Sequence, residues 1–464
     1  SIQLPTSVLA KHEINLSGSE ITADDLLQRK HLNAALLNYA LYNTNTDGDN
    51  ITSGSAETIL NTPVGNIVSS FVYNSDPDQF SMNSKLIRLD TYWQHIDPIK
   101  VRSYVLGDFA TNTVDWGSSV RMAGFQWASA YKQRSDLITT ALPQFSGSAA
   151  LPSSLDVYVD QQKIYSGNIP SGPFDVKSLP FISGNEVMLV TKDVTGQQTI
   201  SKQSYYYSPQ LLTSGTKEFS VDLGVPRYYF GTDSATYDNA LFGSAVIKYG
   251  WMPGLTLTSN LEASSDGLVN IGTGLAMSLF NKGVLTIAAS GSKYKDWRGG
   301  YGMVGLEGRL SKYLQLNASY QKTFDGYYDL ARVSESRFQK EYQPLEKSSG
   351  GSIPYTALAN SITRAGISFY PGSGYSMSMN YSHLKSESKH EYKPLSLSVS
   401  GSPAKNLNLY LSGFTDLADS NNYGAYISMR YALDSKVSTT SAFTKNNDSN
   451  TLRQEINSQG GQRI

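Results

Sequence analysis

The chain has 464 residues, a formal net charge of −1 and no cysteine. This charge excludes the strongly basic character of a nucleic-acid-binding protein, and the lack of cysteine excludes disulfides and thiolate metal sites. No run of about 18 apolar residues occurs, so no transmembrane helix is predicted. Tyr (31 residues) and Gly (39 residues) are abundant, as in transmembrane β-strands, where only every second side chain faces lipid.

The chain begins with a polar stretch and continues with long alternating segments. Residues 1–30 are predicted to be a linker from a missing N-terminal domain, with one short helical turn near Asp24–Gln28. Because no basic and then apolar leader is present, we expect that a signal peptide was removed or that the segment was cut from a longer protein. Residues 31–150 are predicted to be the first barrel strands, because their alternating segments are each about as long as a tilted transmembrane strand. These segments are Asn33–Tyr42, Asn66–Tyr73, Lys85–His95, Val101–Ala110 and Val120–Tyr131.

After Leu151 the strand-like runs become shorter and turns become more frequent. Residues 151–203 contain short strand-like runs separated by frequent turns, which predicts a small β-sandwich inserted into the barrel. The runs are Leu155–Val159, Ile164–Tyr165, Ile169–Phe174, Val187–Val190 and Gln197–Ile200. Residues 204–464 are predicted to form the remaining barrel strands, with long alternating segments resuming at Lys217.

The connections in this second half alternate between tight and long. Pro253-Gly254 and Ser311-Lys312 are tight, whereas Phe324–Tyr355 and Lys385–Glu391 are long and polar. Short turns at one rim and long loops at the other are typical of outer-membrane barrels, although a soluble meander could imitate them. We predict an all-β fold, a large transmembrane antiparallel β-barrel of about 22 to 24 strands. A lumen of that width needs a plug, and the inserted sandwich is the natural candidate.

The segment Tyr423–Tyr431 shows the clearest alternation. Its apolar side carries an aromatic residue at each end, as a strand that crosses two membrane interfaces would, and Tyr375–Ser382 repeats the pattern. A soluble, half-buried sheet remains the alternative. The predicted lipid-facing girdle residues are Tyr375, Tyr381, Tyr423 and Tyr431. The predicted pore-lining residues are Asn406, Asn408, Tyr426, Ser428 and Arg430.

Reactive constellations are missing from the sequence. The five histidines have no metal-ligand spacing, and Gly300–Gly305 matches a dinucleotide fingerprint only as a string inside an alternating strand with no helix after it. No nucleophile elbow or phosphate loop occurs. We therefore predict no catalytic, cofactor-binding or metal-binding residues, no cofactor and no enzyme activity.

Several motifs resemble one family. Asn33–Tyr39 is similar to that family's first barrel strand, and Leu106-Gly107-Asp108 to a step in a later strand. The most specific motif is Pro170, Ser171, Gly172, Pro173 and Phe174, which resembles a Pro-Pro-Gly-Pro-Phe plug signature. On these residues the chain resembles the translocation pore of the outer-membrane fimbrial usher of the chaperone-usher pathway. Ser171 replaces a proline and Lys177-Ser178-Leu179 departs from the usual pattern, which indicates a divergent branch.

The resemblance implies a function. It implies a pore in the bacterial outer membrane, gated by the plug, that takes pilus subunits from a periplasmic chaperone and secretes the fibre through its lumen. The implied partners are chaperone–subunit complexes, the pilus fibre and outer-membrane lipid. No nucleic acid is expected as a partner, and a homo-oligomer is possible. Pro170, Gly172 and Pro173 would fix a rigid turn, or form an ordinary loop turn.

Proteins of other classes share parts of this pattern. A TonB-dependent transporter carries its plug before all the strands, whereas here the sandwich interrupts them. A passive porin would lack an inserted domain, and a secreted adhesin would lack the paired aromatic ends. Another plugged outer-membrane barrel transporter or porin is therefore the alternative to an usher.

Overall fold

The structure is a computed structural model. It describes residues 12–15, 33–46, 49–78, 82–134, 137, 139–140, 145–149, 151, 153–159, 162–177, 186–193, 198–204, 208–341, 359–372, 374–386, 391–433, 437–446 and 449–458. The helical turn predicted near residues 24–28 lies outside these residues.

The described residues form strands almost throughout. The strands that precede the insertion are β1 (His12–Asn15), β2 (Ala34–Thr46), β3 (Asp49–Thr62), β4 (Gly65–Asn74), β5 (Leu86–Asp97), β6 (Arg102–Ala110) and β7 (Arg121–Ser129). Those of the insertion are β8 (Phe145–Ala149), β9 (Ser153–Val159), β10 (Gln162–Ile169), β11 (Gly172–Lys177), β12 (Glu186–Asp193) and β13 (Gln198–Ser204).

The described residues of the second half include fifteen strands and one α-helix. The strands are β14 (Lys217–Pro226), β15 (Phe242–Met252), β16 (Leu255–Ser264), β17 (Leu268–Leu279), β18 (Gly283–Tyr294), β19 (Trp297–Ser311), β20 (Leu314–Asp325), β21 (Ala359–Gly372), β22 (Tyr375–Ser386), β23 (Glu391–Tyr392), β24 (Pro394–Ala404), β25 (Leu407–Asp416), β26 (Asp419–Ala432), β27 (Val437–Asn446) and β28 (Asn450–Ser458). The helix α1 spans Leu330–Glu341, and a 3-10 helix spans Tyr131–Gln133.

Twenty long strands form one antiparallel barrel sheet. They pair in chain order from β2 to β7 and from β14 to β28, and the two-residue β23 continues the β24 side of β22. β7 pairs directly with β14, so the wall continues uninterrupted past the insertion. The predicted all-β antiparallel barrel is confirmed. The described strand count lies below the predicted range of about 22 to 24. β3 was missed by the sequence analysis because its serines, threonines and glycine hide the alternation.

The two faces of the barrel wall differ sharply in exposure. In β17 the apolar Val269 and Ile271 are 47% and 60% exposed, whereas Leu268 and Asn270 are each 1% exposed. Alternate residues of a strand point to opposite faces, so one face of the wall is apolar and open while the other is packed. We call the second the inner face, because helix α1 lies against it through a hydrogen bond from Leu330 to Glu262 of β16.

The connections differ between the two rims. Tight turns such as 63–64, 253–254 and 280–282 follow β3, β15 and β17. Longer segments follow β4, β6, β14 and β20 at the opposite rim. β7 ends and β14 begins at the tight-turn rim, so the insertion is attached there. Among the described residues, none of the helices is long and apolar enough to cross a membrane.

The inserted segment forms a small sandwich of two sheets. One sheet has the order β10-β9-β12-β13, and the other has the order β1-β11-β8. Its core contains Leu155, Val157, Phe174 and Val187, each at most 2% exposed. The sandwich thus includes Phe145–Ala149 and His12–Asn15 besides residues of the predicted 151–203 range. The proposed division of the chain into domains stays a prediction.

Candidate functional site

Three segments from the long-loop rim fold inward and cover part of the inner face. They are residues 111–120, 227–241 and 326–341, and together we call them the cover. The first and third segments lie mainly against β14–β18, which we call the covered wall, and we call β22–β28 the open wall. The cover contains the buried charged and aromatic contacts described below, and we therefore take it as the candidate site.

The first segment of the cover docks through Trp116. Its indole Nε1 donates a hydrogen bond to Ser290 Oγ of β18 at 3.2 Å, and its ring lies over Gly274 of β17, where a Cβ would come within 2.5 Å of the ring. Glycine at that position gives the ring its space. Asp115 forms an ion pair with Lys248 of β15 at 2.8 Å. The segment thus contacts three strands of the covered wall.

The second segment is held by a charged network. The Arg227 guanidinium lies 3.2 Å from Asp108, its side chain is 1% exposed, and Tyr237 donates a hydrogen bond to the same carboxylate at 2.8 Å. The Arg88 guanidinium donates to the carbonyl oxygen of Ser234 at 2.8 Å. Opposite charges that are buried together satisfy each other only with such close geometry. The network therefore fixes the position of this segment against β5 and β6.

Gly107 brings these two strands close enough for the network. Its φ is +123°, and a Cβ there would lie 2.4 Å from the carbonyl oxygen of Thr91. The adjacent Asp108 consequently accepts a hydrogen bond from the Thr91 N–H at 2.9 Å. The Leu106-Gly107-Asp108 step noted in the sequence is thus a close approach of β5 and β6.

The third segment contains helix α1, which the sequence analysis missed inside a predicted long loop. Asp329 caps the helix, because its carboxylate accepts a hydrogen bond from the Arg332 N–H at 2.8 Å. Leu330, Val333 and Phe338 recur at helical spacing, and the first two are buried. The cap and this spacing are the signals that could have predicted the helix. Phe338 packs against Tyr228 of the second segment with ring centroids 5.2 Å apart.

Arg337 ties the helix to the rest of the cover. Its guanidinium lies 2.6 Å from Asp238 and 3.4 Å from Asp266, and the Asp238 side chain is fully buried. Burial alone would raise the pKa of Asp238, but hydrogen bonds from Arg337 and the Ala240 N–H outweigh it, and the pKa lies below its usual value. The hydrogen bond to Asp238 raises the pKa of Arg337. The pair is therefore charged on both sides at neutral pH.

A second carboxylate lies at the start of the helix. Asp329 is buried beside Glu262, which accepts hydrogen bonds from the Leu330 N–H at 3.1 Å and from Asn270 at 2.8 Å. Burial raises the pKa of Asp329, although the charge and N–H of Arg332 oppose this shift. A buried acid next to a second carboxylate is costly to ionise. Ionisation of Asp329 at high pH therefore destabilises the start of the helix, whereas the Arg337–Asp238 pair stays charged there and remains favourable.

The predicted pore-lining residues lie on the open wall. Strand registers connect them to the inner face: Asn380 pairs with Ser396, Ser396 with Phe414 and Phe414 with Gly424. Because paired residues share a face, Tyr426 and Ser428 of β26 point to the same side as the cover. The same holds for Asn408 and Arg430, which pair with each other. Asn406 lies in the turn before β25.

The predicted girdle residues lie on the opposite face. Tyr375, Tyr423 and Tyr431 are 39%, 39% and 41% exposed, and Tyr381 is half-buried. Tyr375 is the first residue of β22 and Tyr381 lies in the middle of that strand. Tyr423 and Tyr431 lie toward the two ends of β26. Their placement at membrane interfaces stays a prediction.

The plug-signature residues join two strands of the sandwich. Pro170 and Ser171 are exposed between β10 and β11, and Gly172 and Pro173 begin β11, where they pair with Ala149 and Ser148. Phe174 is 2% exposed and lies in the sandwich core. The signature therefore connects the two sheets and anchors the second one by its phenylalanine.

No family model matches the chain, and no curated protein sequence matches it. The P pilus usher (PapC) translocation pore matches in structure with a TM-score of 0.53 and 15% identity, over 89% of this chain and 83% of that one. The PapC-PapD-PapK-PapG tip assembly intermediate of the E. coli P pilus matches with a TM-score of 0.66 and 15% identity, over 92% of this chain.

The chain has the fold of an usher translocation pore. The resemblance inferred from the motifs is thereby confirmed at the level of fold. This chain spans about half of the length of the matched chain in the assembly intermediate, 53%.

Proposed function

We propose that this chain is an usher-type pore of the bacterial outer membrane that passes pilus subunits, with the sandwich as its plug. One observation supports the plug role most directly. The sandwich is inserted between β7 and β14, yet these strands pair from Met122 to Ala128 with no break. The insertion is thus attached to a wall that is already continuous without it, as a movable stopper must be.

The two rims indicate which end of the barrel would face the periplasm. Short turns face the periplasm in outer-membrane barrels, and the sandwich is attached at the tight-turn rim. A plug attached there can swing toward the periplasm and leave the barrel wall unchanged. The cover then lies near the extracellular end of the lumen.

The proposed cargo is a chaperone-bound pilus subunit. The related assembly intermediate contains PapC together with PapD, PapK and PapG. Exchange of one β-strand for a better fitting one in an open groove would drive assembly, since main-chain pairing and side-chain burial are favourable. The pore would supply position and passage and would perform no covalent chemistry.

Single-channel conductance in a planar bilayer tests this proposal. The intact chain is compared with a variant in which residues 145–204 are replaced by a short Gly/Ser linker. We expect the intact chain to be mostly closed and the variant to form a large, stable pore. A control that replaces the cover segment 227–241 instead separates the two obstructions. Equal conductance of the intact chain and the 145–204 variant would contradict a plug.

Passage of cargo is tested separately. Co-purification with a chaperone–subunit complex should occur for the full-length protein and should be reduced when the lumen is narrowed by Ser412→Trp on the open wall. A matched substitution on the outer face, Leu411→Trp, should leave it unchanged. A pore that conducts ions but never retains such a complex would favour the porin alternative.

A further inference from the structure

The sandwich contains a strand from a distant part of the chain. β1 pairs in parallel with β11, in the register His12↔Phe174, Ile14↔Val176 and Asn15↔Lys177. On its other side β11 pairs with β8. β1 therefore occupies the position of an edge strand beside β11, although six barrel strands separate the two in sequence.

Ile14 makes this pairing part of the sandwich core. It is 6% exposed and belongs to the same cluster as Val157, Phe174 and Val176. An aliphatic side chain that loses this much exposure contributes to the stability of the domain that surrounds it. β1 is thus more than a strand lying on the surface.

The pairing of β1 with β11 adds a further connection between the sandwich and the barrel. The sandwich is linked to the barrel through residues 130–144 and 205–216, and β1 adds a third, non-covalent link through residues 16–33. β2 begins at the tight-turn rim, because β2, β4 and β6 run to the long-loop rim and β3, β5 and β7 return. All three links therefore leave the barrel at the rim where the plug is attached.

We propose that β1 is a clasp that holds the plug in its closed position by filling the edge of β11. This inference rests on the proposed plug function. Withdrawal of residues 12–15 frees the N–H and C=O groups of β11, which is then an open edge able to accept another extended strand. A pull on the segment before β2 is in this way transmitted to the plug without any change in the barrel wall.

A disulfide across the clasp is the first test, and the cysteine-free chain is a suitable background. Neighbouring strands lie about 4.8 Å apart, within the Cα separation that a disulfide spans. We expect Asn15→Cys with Lys177→Cys to cross-link in most molecules under mild oxidation. The oxidised protein should open at least about tenfold less often than the same protein after reduction.

A matched disulfide inside the sandwich is the control. Ser154 of β9 pairs with Lys192 of β12, and both are exposed. Ser154→Cys with Lys192→Cys should cross-link equally well and leave the opening frequency unchanged. A failure of the clasp pair to cross-link, while the control pair does, would overturn the inference.

The converse test releases the clasp. Ile14→Asp places a charge in the core and should raise the opening frequency at least about tenfold. Ile200→Asp is the control, because Ile200 is 56% exposed on β13 of the same sandwich. If Ile14→Asp unfolds the sandwich, shown by rapid proteolysis within 145–204, the disulfide pair decides the question.

These measurements separate the clasp from the proposed function. If replacement of residues 145–204 opens the pore but the oxidised clasp pair opens as often as the reduced one, the plug stands and the clasp is rejected. If that replacement opens nothing, the plug function fails, and the cross-link yield still reports whether β1 pairs with β11.

Discussion

The two walls of the lumen carry similar sequences but differ in what contacts them. On the covered wall, Thr256 and Asn260 are 1% and 6% exposed, and Thr256 Oγ1 accepts a hydrogen bond from the Leu212 N–H at 2.7 Å. On the open wall, Tyr410 is 43% exposed and Asn408 is exposed as well. The same alternation of small polar and apolar residues thus builds a packed interface in one place and a free surface in another.

The polar side chains of the two walls find different partners. On the covered wall, Ser292 Oγ accepts a hydrogen bond from the Tyr328 N–H of the cover at 2.8 Å. On the open wall, Ser378 and Ser398 are hydrogen-bonded to each other at 2.6 Å. The partly buried serine hydroxyls of the open wall are thus paired within their own sheet. Under the proposed function, cargo passes along the open wall.

The largest expected effect comes from detaching the cover. Arg337→Ala leaves the fully buried Asp238 without its cation, which should cost about 3 kcal/mol of helix docking. The covered wall should then behave like the open one. In a Val333→Cys background, where the replaced residue is 0% exposed, thiol labelling should accelerate about 100-fold.

Lys340→Ala is the matched control for that experiment. Lys340 lies on the same helix and is exposed, so its removal should leave the labelling rate within about twofold. Equal acceleration in both variants would mean that the helix is held by its overall charge and not by the Arg337 anchor.

The outer faces of the two walls should respond alike. Ile287 of β18 and Ile427 of β26 are 44% and 49% exposed, and each lies near the middle of its strand. Ile287→Arg and Ile427→Arg should each lower the free energy of unfolding by about 2 to 4 kcal/mol near the bilayer midplane. Denaturant unfolding in lipid vesicles measures this cost. A small cost for Ile427→Arg alone would mean that β26 does not face lipid.

The sequence predicts the faces of a strand but not what covers them. Tyr423–Tyr431 and Tyr375–Ser382 show both faces, since a period of two defines them wherever side chains alternate. Thr256 and Ser398, however, are both small polar residues in alternating strands, although they lie on different walls. Only contacts between residues far apart in sequence, such as Trp116 with Ser290, distinguish them.

Overpacking should separate the inner faces of the two walls. Ser290 of the covered wall is 8% exposed beneath Trp116, so Ser290→Leu should cost about 1 to 3 kcal/mol. Ser398→Leu extends into the lumen of the open wall and should cost less than about 1 kcal/mol, the value of one lost hydrogen bond. Parallel denaturation of the two variants is the measurement. Equal costs would show that the open wall is covered in the membrane.

The smallest effect should come from pH, because two carboxylates of the cover shift in opposite directions. The pKa of Asp238 is lowered, so its stabilisation is present above its unfolded pKa of about 3.9 and is lost as the pH falls through the folded value. The pKa of Asp329 is raised by burial, so stability is lost as the pH rises through its folded value. Labelling of Val333→Cys, divided by the rate for free cysteine at each pH, should therefore slow as the pH falls through the raised pKa of Asp329 and accelerate below about 4, where Asp238 becomes protonated. Asp238→Asn should abolish the acceleration in acid and retain the slowing above it, because Asp329 still titrates. Loss of both changes in that variant would mean that the two carboxylates act as one unit.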